Sequence, residues 1–227
     1  VKKFQADKGL DVDGVVGPLT AAALLDRQPV DKPAPAAKTR KASKTAEGEY
    51  ETVLFGDSQT VGGIGKALES MIDGPVFRTG KVGARPSIGI GMIANALGPG
   101  TKTVFLTFGG NGTKGTSQLL GDIRRKAPNA KIVWMGPPPA DKPRRSNSMV
   151  SLKKGSRLFW KKRWRERKRR NDQLSTLVSG DNITFVNAYD ALGSTKPQSD
   201  KVETRDGIHV RGSTASELAR AMLNASV

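Results

Sequence analysis

The alternation of short apolar runs with helix-compatible stretches is the feature that most restricts how this chain can fold. Apolar, β-prone runs occur at residues 51–55, 75–79, 102–108, 130–135 and 182–186. Helix-like stretches lie near residues 62–72, 87–97, 116–126, 156–178 and 214–224. Strands that are apolar throughout and alternate with helices indicate a parallel sheet covered on both faces. The sequence therefore predicts an α/β domain over residues 49–227.

Length and composition exclude several classes of protein. The chain has 227 residues, enough for one domain with a sizeable core and a smaller appendage. It has no cysteine and one histidine, so disulfides, thiolate metal sites and His-rich metal sites are excluded, and we expect neither a metal nor a cofactor. No apolar run reaches about 18 residues, so no membrane span is expected. Without an initiator Met or a signal peptide, we expect the N-terminus to begin inside a longer gene product.

Residues 1–27 contain their own set of turn and helix signals. A short helix is expected at the start and another over residues 20–25, with turns between them. The motifs are Phe4-Gln5, Gly9-Leu10, Asp13-Gly14 and Gly17-Pro18-Leu19-Thr20. Their order resembles the second half of the small three-helix peptidoglycan-binding domain that accompanies many cell-wall enzymes. The segment is thus interpreted as a partial domain of that type, or as a stub that only packs on the main domain.

Residues 28–48 have the composition of a linker. They contain Pro29, Pro33 and Pro35, several alanines and five basic residues, with almost no bulky apolar side chain. Such a segment cannot bury enough apolar surface to fold and is expected to be extended or disordered. Tethering the two flanking regions is its predicted role, and contact with an anionic surface is the alternative.

The loops that follow the predicted strands are the expected location of a functional site. In open parallel sheets, ligands bind beyond the carboxyl ends of the strands. The first such loop, Gly56-Asp57-Ser58, places a serine hydroxyl on a tight turn between a strand and a helix. We interpret Asp57 as a residue that supports this turn. The other loops begin at Gly80, Gly109 and Gly136.

These loops supply the groups that a serine ester hydrolase requires. Such an enzyme needs a nucleophile, a base, a carboxylate that orients the base, and donors for the oxyanion. Ser58 is the candidate nucleophile, and the sole histidine, His209, is the candidate base, with Asp206 close enough on one turn to orient it. The Asn111 side chain and the backbone N–H groups of Gly83 and Ser58 are the candidate oxyanion donors. No metal ligand is predicted.

In this order, the four sequence blocks resemble the SGNH/GDSL family of hydrolases. The blocks are Gly56-Asp57-Ser58, Gly83, Gly109-Gly110-Asn111 and Asp206-Gly207-Ile208-His209. The resemblance covers residues 50–227 and implies a flavodoxin-like three-layer α/β/α fold with a parallel sheet. It also implies a Ser58–His209–Asp206 triad and an oxyanion hole formed by Ser58, Gly83 and Asn111.

Three positions depart from the pattern of that family or are ambiguous within it. The third block usually has an Asp after the Asn, whereas Gly112 follows Asn111 here. The first block has Gln59 where the fuller motif has Leu. For the second block, Gly80, Gly83 and Gly89 are all candidates, and the sequence alone does not choose among them.

The positive charge of the chain is concentrated in residues 142–170. The formal net charge is +17, and this segment holds 14 Lys and Arg residues against one acid. Its apolar residues Trp160, Trp164, Leu174 and Val178 fall on one helical stripe, which predicts an amphipathic helix with a basic outer face. That outer face could simply be solvated, or it could bind an anionic polymer. The candidate binding residues are Arg144, Arg145, Lys161 and Arg165.

Two kinds of anionic partner fit the basic segment. An anionic envelope glycan such as peptidoglycan, teichoic acid or lipopolysaccharide is the first. Nucleic acid is the second, because Arg and Lys interleaved with Trp can contact phosphates and stack on bases. No known nucleic-acid-binding motif accompanies the segment, so the glycan is preferred.

Together these features predict a serine esterase of the bacterial envelope. The expected reaction is removal of O-acetyl groups from peptidoglycan or a related glycan, and the expected location is extracytoplasmic, secreted, periplasmic or wall-associated. The alternative is a structural protein that retains the esterase fold, such as a phage virion component that meets the envelope and other virion or envelope proteins. An acetyl-ester assay comparing the wild type with Ser58→Ala separates the two.

Overall fold

The computed structural model describes residues 1–7, 50–93, 95–140, 157–194, 202, 204, 206 and 208–227. The chain divides into two compact units, Val1–Arg40 and Lys41–Val227. In the first unit, the described residues form helix α1 (Lys2–Asp7). Three predicted features lie outside the described residues: the helix over 20–25, the linker over 28–48, and the arginines Arg144 and Arg145.

The second unit contains a five-stranded sheet in the order β2-β1-β3-β4-β5, with every pair of neighbours parallel. The strands are β1 (Thr52–Gly56), β2 (Val76–Gly80), β3 (Thr103–Thr107), β4 (Lys131–Met135) and β5 (Ile183–Val186). Gly56, at the end of β1, lies opposite Gly80 on one side and Thr107 on the other. The carboxyl ends of β2, β1 and β3 are therefore level, and the loops that follow them share one edge of the sheet.

Helices connect the strands and cover the sheet. They are α2 (Ser58–Val61), α3 (Gly63–Met71), α4 (Gly89–Ile93), α5 (Thr116–Lys126), α6 (Arg157–Leu177), α7 (Ala188–Ala191) and α8 (Gly212–Asn224), and a 3₁₀ turn (Pro86–Ile88) precedes α4. The predicted parallel α/β fold is confirmed. Some details differ: the helix predicted near 87–97 divides into the 3₁₀ turn and α4, and the short helices α2 and α7 were not predicted.

The core consists of two apolar clusters, one on each face of the sheet. On one face, strand residues such as Phe55 and Trp134 pack with α4, α5 and α6. On the other face, residues such as Phe105 and Val133 pack with α3 and α8. Successive strand side chains alternate between these faces, so strands that read as continuously apolar are buried on both sides. The result is a three-layer arrangement.

Helix α6 buries the apolar stripe that its sequence predicts. Trp160, Trp164, Leu174 and Val178 are all buried, while much of the basic side of the helix is in contact with solvent. Arg167 is an exception, because it is a charged residue that the same helix buries. Among the described residues, no helix combines the length and the apolar character needed to cross a membrane.

Candidate active site

The turn between β1 and α2 presents Ser58 at the carboxyl edge of the sheet. Asp57 caps α2, since its Oδ1 accepts the Gln59 N–H at 2.9 Å. A Cβ at Gly56 would lie 2.5 Å from the Oγ1 atoms of both Thr60 and Thr107, so only glycine fits this approach. The strand therefore runs directly into the helix, and Ser58 is the first helical residue.

A continuous chain of hydrogen bonds joins Ser58, His209 and Asp206. His209 Nε2 is 2.8 Å from Ser58 Oγ, and His209 Nδ1 is 2.7 Å from Asp206 Oδ2. Because a carboxylate only accepts, Nδ1–H donates to Asp206 and Nε2 is left to accept the serine proton. Asp206 Oδ1 also accepts the N–H groups of Ile208 at 3.1 Å and His209 at 2.9 Å. The structure thus brings together three residues predicted as a triad, with 151 positions between the serine and the histidine.

Two further contacts fix the segment that holds His209. Gln59 Nε2 donates to the Ile208 carbonyl at 2.9 Å, which ties this segment to the helix of the nucleophile. An antiparallel bridge pairs Thr204 with Val210 and closes the segment at its base. The sequence marked Gln59 only as a departure from a motif. Its tethering role could not be read from the sequence, because the partner is a backbone carbonyl far along the chain.

The three predicted oxyanion donors, Ser58, Gly83 and Asn111, line one cavity. Among the described residues, no acceptor is found for the backbone N–H of Ser58 or of Gly83. Gly83 has a φ of +78°, a conformation that favours glycine. Asn111 Nδ2 donates to the Ala84 carbonyl at 3.2 Å, which fixes the amide and leaves its second N–H available.

The cavity next to Ser58 has a volume of about 180 Å³. It is lined by Asp57, Ser58, Gln59, Val82, Gly83, Gly110, Asn111, Arg167, Ile208 and His209. Of the three glycines considered for the second block, only Gly83 lines it. Gly89 instead packs against the Leu119 side chain, where a Cβ would lie 2.8 Å away. Neither Lys161 nor Arg165 lines the cavity, whereas Arg167, which was not singled out from the sequence, does.

Burial and charge perturb three groups in and around this cavity. Burial raises the pKa of Asp57 to about 6, although the Gln59 and Gly110 N–H groups and the charges of Arg167 and His209 act in the opposite direction. Burial lowers the pKa of Arg167, and the nearby Asp57 opposes this shift. Burial also acts to raise the pKa of Asp206, but hydrogen bonds from His209 and its charge outweigh it, so this pKa lies below its usual value.

The large unit combines a known type of fold with a serine, a histidine and a carboxylate in one hydrogen-bonded chain. A parallel α/β/α domain presents a serine on the turn after β1, hydrogen-bonded through a histidine to a carboxylate, with backbone and amide donors beside it. The large unit therefore has the fold of the SGNH hydrolases, as the order of the sequence blocks predicts. Among the described residues, no group of three or more His, Asp and Glu side chains could hold a metal ion.

Solved structures with the same fold include several bacterial esterases and lipases. The large unit resembles a Streptococcus pneumoniae protein described as a candidate platelet activating factor, with 18% identity over 79% of this chain and 85% of the other and a TM-score of 0.57. A phospholipase A1 from Streptomyces albidoflavus is 16% identical over 80% and 100% of the two chains, with a TM-score of 0.53. A carbohydrate acetylesterase from Sinorhizobium meliloti is 18% identical over 76% and 96%, with a TM-score of 0.52.

The N-terminal segment matches a different family. Residues 1–24 match the family model described as "Putative peptidoglycan binding domain". This agrees with the motifs in that stretch of the sequence. No curated protein sequence matches the chain.

Proposed function

We propose that this protein is a serine ester hydrolase that removes a small acyl group, acetyl, from a glycan of the bacterial envelope. The observation that supports this most directly is the hydrogen-bonded chain from Ser58 Oγ through His209 to Asp206, at 2.8 and 2.7 Å. These distances lie within the range needed for proton transfer from a nucleophile to its base.

In the first half of the proposed reaction, Ser58 Oγ attacks the carbonyl carbon of the ester and its proton passes to His209 Nε2. Asp206 holds the ring through Nδ1–H and stabilises the imidazolium that forms. The negative charge that develops on the carbonyl oxygen is met by the N–H groups of Ser58 and Gly83 and by the Asn111 amide. His209 then gives its proton to the leaving sugar oxygen as the ester bond breaks, which releases the sugar hydroxyl and leaves an acyl-serine.

In the second half, a water molecule replaces the sugar hydroxyl. His209 takes one proton from the water while the resulting hydroxide adds to the acyl-serine carbonyl. The same donors stabilise the second oxyanion. As the bond to Ser58 Oγ breaks, His209 returns the proton to the serine, and the free acid leaves.

The dimensions of the cavity favour a short acyl group. Its volume of about 180 Å³ is below the range of about 300–1,000 Å³ that is typical of sites for drug-sized ligands. An acetyl group fits within such a volume, whereas a long fatty acyl chain requires an extended groove. We therefore propose acetate as the acid that is released.

Two lines of support point to an envelope glycan as the alcohol part of the ester. The first 24 residues match a peptidoglycan-binding family, and one structural neighbour is described as a carbohydrate acetylesterase. We accordingly propose peptidoglycan as the substrate and an extracytoplasmic, wall-associated location for the protein. A virion component, the alternative from the sequence, stays a prediction.

The exposed side of α6 is proposed to contact the anionic polymer outside the cavity. Arg165 is exposed and Lys161 is half-buried, and neither has an acidic partner within 4.0 Å among the described residues. Both contribute to the positive field of this helix, which would raise the local concentration of a polyanion. Nucleic acid is the second choice for this surface.

Release of acetate from O-acetylated peptidoglycan tests the proposal. The wild type should release acetate, and Ser58→Ala should release it at least about a thousandfold more slowly. Ser70→Ala is the matched variant, because Ser70 is exposed on α3 and its hydroxyl donates only to the Ala67 carbonyl. Equal acetate release by wild type and Ser58→Ala would overturn the mechanism. If the protein hydrolysed a small acetyl ester but released no acetate from peptidoglycan, the proposed substrate would be wrong and the proposed reaction would stand.

A further inference from the structure

The loop that presents Asn111 is held on both sides of Gly110. Asp57 accepts the Gly110 N–H in addition to that of Gln59. Arg170 Nη1 donates to the Gly110 carbonyl oxygen from the other side. The peptide groups on either side of Gly110 are therefore fixed, and Asn111 is the next residue along the chain.

Arg167 also lies beside Gly110. It lies one turn before Arg170 on α6, it is 5% exposed, and its Nε donates to the Pro138 carbonyl at 2.7 Å. A Cβ on Gly110 would lie 3.0 Å from Asp57 Oδ2 and 3.5 and 3.6 Å from the two terminal nitrogens of Arg167. The carboxylate and the guanidinium therefore face the same side of the Gly110 backbone, where a side chain would intrude on both.

We infer that Arg167 and Arg170 are positioning residues that hold the Gly110 backbone, Arg167 through Asp57 and Arg170 directly, so that Asn111 faces the oxyanion. This inference rests on the proposed ester hydrolysis and assigns a role to two residues of the basic helix. Arg170 is itself oriented by Glu166, one turn earlier on α6, which accepts a hydrogen bond from Nη2. Part of the positive charge of α6 thus serves the active site and is not free to bind a polyanion.

The arginines also explain how the site functions without an Asp after Asn111. Gly112 occupies that position with a φ of +123°, a conformation that side chains rarely adopt. An acid there would be strained by the backbone. The loop is instead held from α6, through the Arg170 contact with the Gly110 carbonyl oxygen.

The charge on Asp57 determines how well it holds the loop. An ionised carboxylate accepts both N–H groups, whereas a protonated carboxyl must use one oxygen as a donor. The titratable groups around Asp57 are Arg167 on α6 and His209 before α8, and a positive charge on either favours the ionised form of Asp57. Tyr189, Arg163 and Arg170 act on Arg167 in turn. Loss of Arg167 should therefore allow Asp57 to take up a proton at a higher pH.

Steady-state hydrolysis of p-nitrophenyl acetate by single variants tests this assignment. We expect Arg167→Met and Arg170→Met to lower kcat by about tenfold to a hundredfold with little change in KM, because a misplaced oxyanion donor affects the transition state more than substrate binding. Arg167→Met should also move the acidic limb of the pH–kcat profile to higher pH, and Arg167→Lys should restore part of the loss. Arg169→Met is the control, since Arg169 is exposed on the same helix.

A double-mutant cycle identifies the route through Asp57. In an Asp57→Asn background, the additional change Arg167→Met should lower kcat by less than about twofold, because the Asp57 carboxylate through which Arg167 acts is already absent. Fully additive losses would contradict the route. Rates equal to the wild type in both arginine variants, or losses that only follow the folded fraction, would overturn the assignment.

Amide hydrogen exchange at Gly110 provides a readout that does not depend on activity. Its N–H is held by Asp57, so Arg167→Met and Asp57→Asn should both accelerate its exchange, and Arg169→Met should not. If the wild type fails to cleave any ester, the proposed function fails, and the exchange data still decide whether the arginines hold the loop. Unchanged exchange in Arg167→Met would reject the inference even in an active enzyme.

Discussion

At the scale of single residues, the Asn111 amide is the oxyanion donor whose contribution is simplest to isolate. Its Nδ2 donates to the Ala84 carbonyl at 3.2 Å, so the side chain is oriented before substrate binds. Asn111→Ala should lower kcat for p-nitrophenyl acetate by about a hundredfold or more, as expected when one oxyanion donor is removed. A change of less than about threefold would show that Asn111 does not face the oxyanion. Asn129→Ala is a suitable control, since Asn129 is exposed in the turn before β4 and does not have a positive φ.

The buried carboxyl of Asp57 should leave a signature in the pH dependence of stability. Its pKa is about 6 in the folded protein against an ordinary value of 3.8, so between these values the folded state binds more protons than the unfolded state. The free energy of unfolding should therefore decrease as pH rises from about 4 to about 6. The stabilisation that Asp57 gives the folded state is fully present only below the unfolded pKa. Asp206 acts with the opposite sign and at lower pH, because its pKa is lowered.

Urea unfolding of wild type and Asp57→Asn at a series of pH values measures this contribution. The variant should lack the decrease between about pH 4 and about pH 6 that the wild type shows, whatever its absolute stability. Parallel pH dependence in the two proteins would mean that Asp57 is not a buried carboxyl with a raised pKa.

The residues of the candidate site divide into those that a sequence can indicate and those that it cannot. Ser58, Asp206 and His209 could be proposed because each belongs to a short local block, and the order of the blocks implies that they meet. Arg167 could not be identified, because it sits in a run of similar charges in which nothing distinguishes the buried member. The role of Gln59 could not be predicted either, since its hydrogen-bond partner is a backbone carbonyl 149 positions away.

At the scale of elements, the strands were predicted closely because burial on both faces makes them apolar throughout. The prediction of one helix near residues 87–97 was less accurate. Pro86 lacks the N–H of a regular turn and begins a 3₁₀ segment, and α4 starts only at Gly89. The sequence did not predict the tight packing of α3 either, in which a Cβ at Gly63 would meet the distant Val210 carbonyl and a Cβ at Gly65 would meet the nearby Thr60 carbonyl.

Gly63 should be the glycine of α3 most closely linked to the active site. A Cβ there would lie 2.3 Å from the carbonyl oxygen of Val210, the residue after His209. Gly63→Ala should push this segment outward, lower stability by about 1–3 kcal/mol and lower kcat, because His209 moves relative to Ser58. Thermal unfolding and ester hydrolysis measure the two effects.

Gly121→Ala is the matched control for Gly63→Ala. Gly121 lies in α5, is exposed, and has nothing within 4 Å of where its Cβ would be. Because alanine is a better helix former, this change should raise stability by up to about 1 kcal/mol and leave the rate unchanged. If both alanine variants behaved alike, the close approach of α3 to Val210 would not be a constraint on the site.

At the scale of the whole molecule, the concentration of charge on one helix allows binding and catalysis to be separated. The net charge is +17, but Arg167 and Arg170 of α6 contact groups within the protein, whereas Arg165 and Lys161 lack acidic partners among the described residues. Only cations without a partner in the described part of the protein, such as Arg165 and Lys161, can release their counter-ions and bind a polyanion. Sequence composition alone counts both kinds together, and for this reason it overstates the basic surface that is available.

Binding to insoluble peptidoglycan should therefore depend on salt through Lys161 and Arg165. Raising the ionic strength from about 0.05 M to about 0.5 M should weaken wild-type binding by roughly tenfold, because screening shortens the range of the field. The double variant Lys161→Gln/Arg165→Gln should bind less at low salt and show a shallower salt dependence. The double variant Lys66→Gln/Arg220→Gln removes the same charge from exposed positions on α3 and α8 and should resemble the wild type. Equal weakening of binding by the two double variants would show that binding depends only on net charge. Tighter binding to nucleic acid than to peptidoglycan at matched salt would make nucleic acid the preferred partner.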